Sequence, residues 1–363
     1  GRGREEMEME NVAVLILAGG RGSRFWPLSR PTYPKPFLTI FGERSLLQAT
    51  YDRVTRAFPS APVFVVTETR FVAHVQKQLP ELPEWAILVE PVGRDTAACI
   101  GWAVLQLERR LGGDPVLVTL PSDHFVGDDA AFSAALQEAV RVAAGGDRIV
   151  TLGVRPIRPE TGYGYLFAQP EEREGMAYRV RRFIEKPPLD RARRMMRMEH
   201  CYWNCGIYVW KRSVAWANLV IHLPDVAQRL AALAARSGGG ADDGDEAFRE
   251  GYGRLPAVSI DYGVAEKAEN LFVLPVSFPW DDVGNWNALS RVSPVDKAGN
   301  VVRGPFHGLD VKDCIVVCRK PLAAIGVENL VLVETDEAVL VCSRDHVQRI
   351  KSFLQETGLG GEL

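Results

Sequence analysis

The stretch VAVLILAGGRGSR, residues 12–24, decides the fold of this chain. Its first seven residues, 12–18, are all apolar, and Gly19 and Gly20 follow them directly. A continuous apolar run of this length predicts a strand that is buried on both faces, as is typical of a parallel sheet. Glycines after such a strand let backbone N–H groups approach an anion, because no Cβ stands in the way. The stretch therefore predicts an α/β sheet with an anion-binding loop at a strand end.

Predicted strands and helices alternate from this stretch up to residue 154. Ser45 can cap the first helix, since a serine hydroxyl accepts hydrogen bonds from first-turn N–H groups. The alternation predicts a Rossmann-like open α/β sheet, and extended segments after residue 155 make that sheet mixed. Further strands are predicted at 62–67, 86–91, 115–123 and 149–154, and helices at 45–57, 71–79, 96–111 and 131–144.

Changes in composition and in the predicted elements along the chain predict its domain organisation. Residues 1–11 are charged and predict a disordered lead-in, 12–295 predict the main α/β domain, and 296–363 predict a small β domain. Its short β runs have a loose solenoid-like spacing, which leaves a short left-handed β-helix open, and a closing helix is predicted at 346–355. The Gly- and Asp-rich segment 237–246 predicts a mobile loop.

Composition narrows the classes of function. The net charge is −3, which argues against a general binder of nucleic acids. No apolar run reaches the roughly 20 residues that a membrane span needs. The charged N-terminus also lacks the apolar stretch of a signal peptide. We therefore expect a cytoplasmic protein that binds neither nucleic acid nor membrane.

The six cysteines raise the question of a zinc site, because two pairs have CxxxC spacing. Cys314 and Cys318 lie in DCIVVCR, where strand alternation puts both on one face beside apolar residues. Cys201 and Cys205 flank YWN at the entry of a predicted strand. Zinc sites usually use closer CxxC pairs on turns, so we predict buried, apolar cysteines without disulfides.

The glycine-rich loop fails two common nucleotide-binding patterns. A Walker loop closes with Gly-Lys-Ser/Thr, whereas this one reads Gly22-Ser23-Arg24. The dinucleotide fingerprint needs a third glycine three residues after Gly22, where Phe25 stands. Arg21, Arg24 and Lys35 nevertheless add positive charge to the loop, and a Pro-rich segment precedes Lys35. The pattern therefore predicts phosphate binding by a loop of another kind.

This loop and the segment FWPLSRPTYPKPFL, residues 25–38, resemble the nucleotidyltransferase family, and the segment is similar to its mannose-1-phosphate guanylyltransferase branch. The resemblance extends from Val12 to about residue 355. It implies that 12–295 is a catalytic domain that transfers GMP from GTP to mannose 1-phosphate, forming GDP-mannose and pyrophosphate. The implied reaction is a Mg²⁺-assisted in-line attack of the sugar phosphate on the α-phosphorus, without a protein nucleophile.

The resemblance also implies a role for individual residues. The implied nucleotide-binding residues are Leu17, Ala18, Gly19, Gly20, Gly22, Ser23, Glu90, Arg94, Asp95, Thr96 and Ser122. The implied sugar-binding residues are Gly162, Tyr163, Glu185, Asn204 and Asp261. Arg24, Lys35 and Lys186 are the implied catalytic cations, which would offset the repulsion between two anionic substrates.

Two acidic residues far apart in sequence are expected to share a metal. Asp123 follows a buried strand at its carboxyl end, where open α/β sheets place their ligands. Asp282 lies in Trp-Asp-Asp-Val-Gly. Two carboxylates together with nucleotide phosphates are typical of Mg²⁺ sites, and the resemblance assigns the metal to this pair. The neighbouring Asp281 is expected either to support the site indirectly or to face solvent.

Departures from the family pattern bear on the base and the hexose. Asp95 stands where Asn is usual, Ala98 where Pro is usual, and Cys205 where Ser is usual. Three alternatives stay open: a nucleotidyltransferase for another hexose 1-phosphate, a non-catalytic paralogue that binds nucleotide-sugars, and a sugar-transferring glycosyltransferase. The last would not need a triphosphate loop. The small β domain also leaves a homodimer open.

Overall fold

The computed structural model describes residues 11–20, 22–237 and 245–361. Arg21, residues 1–10 of the predicted lead-in and residues 238–244 of the predicted mobile loop lie outside these ranges. The chain divides into two compact units, and each contains three separate stretches of sequence. Unit 1 contains residues up to 18, 50–122 and 128–280, and unit 2 contains 19–49, 123–127 and 281 onward.

The strands of unit 1 follow the alternation of strands and helices that the sequence predicts. The first eleven strands of the chain are β1 (Val12–Leu17), β2 (Val63–Glu68), β3 (Ile87–Glu90), β4 (Val116–Pro121), β5 (Phe125–Val126), β6 (Ile149–Val154), β7 (Gly164–Glu174), β8 (Ala177–Glu185), β9 (Cys201–Lys211), β10 (Leu271–Val276) and β11 (Trp280–Asp281). Nine of them form one sheet in the order β3-β2-β1-β4-β9-β6-β10-β8-β7.

The sheet of unit 1 is mixed, as the sequence predicts. β1 pairs in parallel with β2 and with β4, whereas β9 runs antiparallel between β4 and β6. The first five residues of β1 are buried, which explains why this strand is apolar along its whole length. β1 leads directly into the glycine loop, so the loop begins at the carboxyl end of a central strand.

Helices connect the strands. They are α1 (Leu46–Ala57), α2 (Val72–Gln78), α3 (Asp95–Arg110), α4 (Asp129–Ala144), α5 (Leu189–Met195), α6 (Arg212–His222), α7 (Pro224–Arg236), α8 (Glu246–Gly253), α9 (Ala288–Val292) and α10 (Ile350–Thr357). The predicted cap of α1 is confirmed, because Ser45 Oγ accepts a hydrogen bond from the Gln48 N–H at 3.0 Å. Gln48 Oε1 accepts from the Ser45 N–H at 2.9 Å, so the two residues cap each other. Within the described ranges, no helix has the length and apolar character that crossing a membrane requires.

Short strands in unit 2 form stacked coils. They are β12 (Val301–Arg303), β13 (Phe306–Leu309), β14 (Ile315–Val317), β15 (Leu322–Ile325), β16 (Leu330–Glu334) and β17 (Val339–Ser343). β12, β14 and β16 pair in parallel, β13 pairs in parallel with β15, and β17 closes the larger sheet antiparallel to β16. Parallel pairing of successive coils is the arrangement of a β-helix, while the predicted left-handed sense stays a prediction.

Alternation along β14 divides the coil between two apolar clusters. Cys314, Val316 and Cys318 point into the cluster inside the coil. Ile315 points the other way, into a second cluster that also contains Phe25 and Leu354. The prediction that Cys314 and Cys318 are buried on one apolar face is confirmed. The second cluster joins the phosphate-loop segment and the C-terminal helix in the core of unit 2.

One prediction about local structure needs correction, and for Asp281 the structure decides between two alternatives. The sequence predicts the closing helix at 346–355, but the α-helix begins only at Ile350, and Arg344–Arg349 form a 3₁₀ helix. Of the two alternatives for Asp281, exposure to solvent is excluded, because only 2% of its surface is exposed. The predicted boundary at residue 295/296 stays a proposal about sequence domains, because unit 2 also gathers residues from earlier in the chain.

Candidate active site

A cleft of about 340 Å³ in unit 2 contains most of the predicted phosphate-binding residues. A glycine-rich loop, several cations and two carboxylates line the same space. The lining residues are Gly19, Gly20, Gly22, Ser23, Arg24, Phe25, Lys35, Pro36, Asp123, His124, Asp282, Gly284 and Lys351. The structure thus brings together Arg24, Lys35, Asp123 and Asp282, which are separated by up to 258 positions in the sequence.

Two glycines of the loop lie where a side chain would be disfavoured. Gly20 has a φ of 129°, a backbone conformation that residues with a Cβ rarely adopt. A Cβ on Gly22 would lie 3.3 Å from both the backbone N and the Cβ of Lys35. The loop therefore passes directly against the segment that carries Lys35, and a side chain at position 22 would require that segment to shift by a few tenths of an ångström.

Lys35 links the two predicted metal ligands. It starts a short 3₁₀ helix, Lys35–Phe37, and its side chain is mostly buried. Its Nζ lies 3.3 Å from Asp123 Oδ2 and donates to the Asp282 carbonyl oxygen at 2.7 Å. Burial raises the pKa of Asp123, but the positive charge and hydrogen bond of Lys35 outweigh this effect, so the pKa lies below its ordinary value. Asp123 is therefore an ionised carboxylate at neutral pH.

The donor set of the cleft fits a hard divalent cation. Asp123 and Asp282 supply carboxylate oxygens, which Mg²⁺ prefers, and two such ligands plus substrate phosphates complete a typical site. Among the described residues, no group of three or more His, Cys, Asp or Glu side chains could hold a metal by itself. A metal in this cleft would therefore depend on the nucleotide for several of its ligands.

Two titratable residues of the cleft, His124 and Lys351, have no role in the sequence-based site. His124 follows Asp123 directly, and its Nε2 lies 3.8 Å from Asp123 Oδ1. The signal in the sequence for His124 is that it directly follows Asp123, a predicted metal ligand. Lys351 comes from α10 at the far end of the chain, and the sequence around it contains no recognisable motif. Only the packing of α10 in unit 2 brings Lys351 to the glycine loop.

Other predicted nucleotide-binding residues lie in unit 1, with their backbone groups engaged in extending the sheet. Leu17 O accepts from the Ser122 N–H at 3.1 Å, and the Ala18 N–H donates to Val66 O at 2.8 Å. Thr67 Oγ1 donates to Ala18 O at 2.7 Å. The structure therefore gives Leu17 and Ala18 a part in shaping the start of the loop, and their contact with nucleotide stays a prediction.

The predicted nucleoside segment lies at the start of α3, also in unit 1. Asp95 is exposed at a φ of 65°, and its Oδ1 accepts from the Thr96 N–H at 2.7 Å. Thr96 Oγ1 accepts from the Ile260 N–H, and Arg94 Nε donates to Leu255 O, both at 2.7 Å. Asp95 is therefore presented to solvent on a segment that is tied to residues 255–260.

Glu90 has a buried partner within the protein. Only 5% of its surface is exposed, and its carboxyl group accepts a hydrogen bond from the Tyr252 hydroxyl. Burial raises the pKa of Glu90 to about 7. Glu90, the last residue of β3, thus links α8 to the edge strand of the sheet. A direct contact between Glu90 and the nucleotide stays a prediction.

A second polar group in unit 1, called here the acidic cluster, comprises Glu185, Lys186, Asn204, Tyr208 and Asp261. Asp261 accepts hydrogen bonds from the Tyr208 hydroxyl and, at 3.3 Å, from Asn204 Nδ2. Burial and then the negative charge of Asp261 raise the pKa of Glu185 to about 8. Burial likewise raises the pKa of Asp261. Glu185 therefore retains a proton near neutral pH, and both carboxyl groups can form hydrogen bonds with hydroxyl groups.

Asn204 is fully engaged inside the acidic cluster. Its Oδ1 accepts from Thr151 Oγ1 at 2.7 Å and from the Gly206 N–H at 3.1 Å. Its Nδ2 donates to Tyr208 and Asp261, so both amide hydrogens are used. Its geometry is that of a residue that orients Asp261, and its contact with a hexose stays a prediction.

The predicted sugar loop is held by its own side chains. The Gly162 N–H donates to Glu160 Oε1 at 3.1 Å, so this donor is occupied. The Tyr163 ring is buried and packs edge-on against Trp203, with ring centroids 5.1 Å apart. Tyr163 O accepts from the Lys186 N–H at 3.0 Å. This last bond holds the exposed Lys186 at a φ of 46°, directly after Glu185.

Comparisons with known proteins agree with these features. A family model described as nucleotidyl transferase matches residues 13–298, and one described as MannoseP isomerase/GMP-like beta-helix domain matches residues 299–356. The xanthan biosynthesis protein XanB of Xanthomonas campestris pv. campestris (strain B100) is 41% identical over 355 residues, which cover 97% of this chain and 74% of that protein. A mannose-1-phosphate guanylyltransferase of Escherichia coli is 37% identical, with 94% of this chain and 73% of that protein covered.

A solved structure from Thermus thermophilus, named mannose-1-phosphate geranyltransferase, is similar over 96% of this chain and 99% of its own. Its TM-score is 0.85 and its sequence identity is 37%. These matches confirm the predicted Rossmann-like core with a small C-terminal β domain. Because the first family model covers most of the chain and the relatives match nearly all of it, the chain belongs to the nucleotidyltransferase family, in its mannose-1-phosphate guanylyltransferase branch.

Proposed function

We propose that this chain transfers GMP from GTP to mannose 1-phosphate, forming GDP-mannose and pyrophosphate. The cleft of unit 2 carries the proposal, because a glycine-rich loop, several cations and two carboxylates line one space. That combination suits a triphosphate with a divalent cation. The choice of guanine and mannose is supported by relatives named mannose-1-phosphate guanylyltransferase at 37% identity.

Nucleotidyltransferases of this family use a divalent metal ion, and we propose that the ion here is Mg²⁺. Asp123 and Asp282 would hold it through carboxylate oxygens, with nucleotide phosphates as further ligands. The lowered pKa of Asp123 supports this role, because the ionised carboxylate is the form that binds a cation. When bound, the ion would neutralise charge on the phosphates.

The protein groups would supply alignment and charge neutralisation. A sugar phosphate is anionic at neutral pH, so no protein base has to remove a proton from it. Its phosphate oxygen would attack the α-phosphorus of GTP, the bond from that phosphorus to the bridging oxygen would break, and pyrophosphate would leave with the electron pair. Arg24 and Lys35 would bind the triphosphate and stabilise the leaving group, and Lys186 would bind the sugar phosphate.

Other predicted residues would recognise the base and the sugar. The exposed carboxylate of Asp95 can accept hydrogen bonds from guanine N1–H and N2–H₂. The carboxyl groups of Glu185 and Asp261 can bond with hexose hydroxyls. Gly20, Gly22 and Ser23 would cradle phosphate oxygens through backbone N–H groups.

Pyrophosphate release tests this function directly. The protein is mixed with Mg²⁺, GTP and one of several sugar 1-phosphates, and then with ATP, UTP or dTTP in place of GTP. We expect the fastest release with GTP and mannose 1-phosphate. A higher kcat/KM with another hexose or base would shift the assignment to a different nucleotidyltransferase. Nucleotide-sugar binding without any release would instead favour a non-catalytic paralogue.

The remaining predictions on location, assembly and domains stay proposals. We propose a cytoplasmic enzyme, with GTP and mannose 1-phosphate as its partners and with no nucleic acid or membrane partner. A catalytic domain over residues 12–295 and a small β domain over 296–363 are proposed as sequence domains. A homodimer is proposed as its assembly, and light scattering at several protein concentrations would test it.

A further inference from the structure

We propose that the ion pair between the buried Asp281 and the surface residue Arg291 is a positioning device for the metal site. It holds the backbone of Val283 in the left-handed region and thereby presents Asp282 to the cleft. The inference rests on the proposed function, because it takes Asp282 as a metal ligand. Asp281 and Arg291 themselves do not line the cleft.

The pair has the geometry of a strong, directional contact. Arg291 lies on α9, and its Nε and Nη2 donate to Asp281 Oδ2 at 2.7 Å and Oδ1 at 3.1 Å. Two parallel hydrogen bonds of this kind fix orientation as well as distance. Asp281 Oδ1 also accepts from the Val283 N–H at 2.8 Å, so the pair acts on the backbone two residues ahead.

Val283 needs such a constraint. Its φ is 54°, in the left-handed region that is unfavourable for L-residues and most unfavourable for β-branched ones. Its side chain is fully buried in the core of unit 2. Strained backbone persists where the surroundings determine it, and such positions occur preferentially at functional sites. Here the hydrogen bond that the Val283 N–H donates to Asp281 Oδ1 is one of the contacts that hold Val283 in this conformation.

The conformation of Val283 sets the position of the residue before it. The Asp282 carbonyl oxygen accepts from Lys35 Nζ at 2.7 Å, and the Asp282 side chain lines the cleft. Lys35 Nζ is also the partner of Asp123. If Val283 relaxed to an extended conformation, the peptide between residues 282 and 283 would turn. The carbonyl would leave Lys35, and the Asp282 carboxylate would change direction.

Asp281→Ala tests the device through Mn²⁺ binding, measured by electron paramagnetic resonance on the full chain with saturating GTP and without mannose 1-phosphate. We expect a dissociation constant roughly tenfold higher than in the parent protein, comparable to the cost of left-handed backbone. Asp281→Asn keeps the acceptor for the Val283 N–H and should lose less affinity. Glycine tolerates positive φ, so combining Asp281→Ala with Val283→Gly should restore most of the affinity. Combining it with Val283→Ala, which also removes both methyl groups but keeps Cβ, should not.

Two results would overturn the inference: unchanged Mn²⁺ affinity in Asp281→Ala, or equal restoration by glycine and alanine at position 283. If circular dichroism shows that Asp281→Ala does not fold, Arg291→Lys replaces it in the same series, because lysine keeps the charge but loses the double contact. The reaction is judged separately by pyrophosphate release from the parent protein. A parent without release, but with the expected Mn²⁺ series, would reject the proposed reaction and retain the positioning role.

Discussion

Lys35 is the residue on which the cleft of unit 2 converges. Its Nζ contacts Asp123 and the carbonyl oxygen of Asp282, and its backbone lies against Gly22. A compact ammonium group in this position can balance the carboxylates and still contribute positive potential to a bound triphosphate. Its mostly buried setting strengthens these interactions, because little solvent screens them.

Replacing Lys35 by alanine should lower kcat by about 10²–10³, the usual cost of removing one group that stabilises transition-state charge. Lys77→Ala serves as a control, since Lys77 is an exposed lysine on α2 outside the cleft. The measurement is steady-state pyrophosphate release at saturating GTP and Mg²⁺. A Lys35→Ala enzyme within about threefold of the Lys77→Ala enzyme would refute the assigned role.

Glu185 makes the stability of the protein depend on pH. Burial first, and then the charge of Asp261, raise its pKa to about 8, against an ordinary value of 4.5. The folded state then holds a proton that the unfolded state releases, so stability from this group falls as pH rises from about 4.5 to about 8. Glu185→Gln removes this proton equilibrium, and its stability should change less over the same range.

Urea unfolding of the parent and of Glu185→Gln at about pH 5 and about pH 8.5 measures this difference. We expect the parent to lose on the order of a few kcal/mol relative to the variant between the two pH values. Taking the difference between the proteins cancels the contributions of other titrating groups. Parallel stability profiles would show that Glu185 does not hold its proton in the folded state.

Sequence reasoning identifies side chains better than it identifies their partners. Motifs predict Arg24, Lys35, Asp123 and Asp282, and these residues do share one cleft. The sequence does not predict that the side chain of Asn204 is fully hydrogen-bonded within the protein. Its partners, such as Thr151 and Asp261, come from other segments of the chain. The burial of Asp281 likewise depends on Arg291 and on the turn at Val283. The residue types in this turn do not predict its backbone conformation.

At the scale of elements, α10 shows what periodicity can and cannot reveal. A helix near the C-terminus can be predicted from its apolar spacing, and Ile350 and Leu354 are indeed its buried residues. The 3₁₀ helix before it cannot be predicted as such, because the apolar residues of both helix types have similar short-range spacing. The side of α10 that meets the cleft cannot be predicted either, since that depends on how the helix packs in unit 2. Lys351 therefore escapes a motif-based search.

Lys351→Ala should raise the KM for GTP about tenfold with a smaller effect on kcat, and it should weaken pyrophosphate binding similarly. The reason is that Lys351 lines the cleft with Arg24, and none of the described carboxylates forms an ion pair with it. Gln355→Ala on the same helix controls for helix stability, and Lys297→Ala controls for loss of a surface charge. Calorimetric titration with pyrophosphate checks the binding. Equal affinities in all three variants would exclude a phosphate contact.

At the scale of the whole molecule, the phosphate loop and the β coil depend on one core within unit 2. Phe25 and Trp26, next to the loop, belong to the same apolar cluster as Ile315 in the coil and Leu354 in α10. Trp286 Nε1 donates to Trp26 O at 3.2 Å, and Arg30 forms an ion pair with Glu337 at 2.7 Å. The loop that is proposed to bind GTP therefore owes its conformation partly to residues beyond position 280.

Leu354→Ala should destabilise the protein by about 2–5 kcal/mol, because it leaves a cavity in this core. Phe353→Ala is the matched control, since Phe353 lies on the same helix but is 54% exposed. The informative measurement is hydrogen exchange of peptides covering residues 22–41. We expect faster exchange there in Leu354→Ala and not in Phe353→Ala. Identical exchange in both variants would mean that the loop does not depend on the C-terminal helix.

The bond between Trp26 and Trp286 also bears on the order of events during synthesis. The two residues are 260 positions apart, and a ribosome adds about 5–20 residues per second. The phosphate loop would therefore emerge roughly 10–50 s before the partner that completes its core. During that interval Phe25 and Trp26 have no native packing partner from beyond position 280, and they are candidates for binding by chaperones. A nascent chain stalled before residue 280 should therefore be recognised at this segment, and release of the chaperone should coincide with synthesis of the β coil.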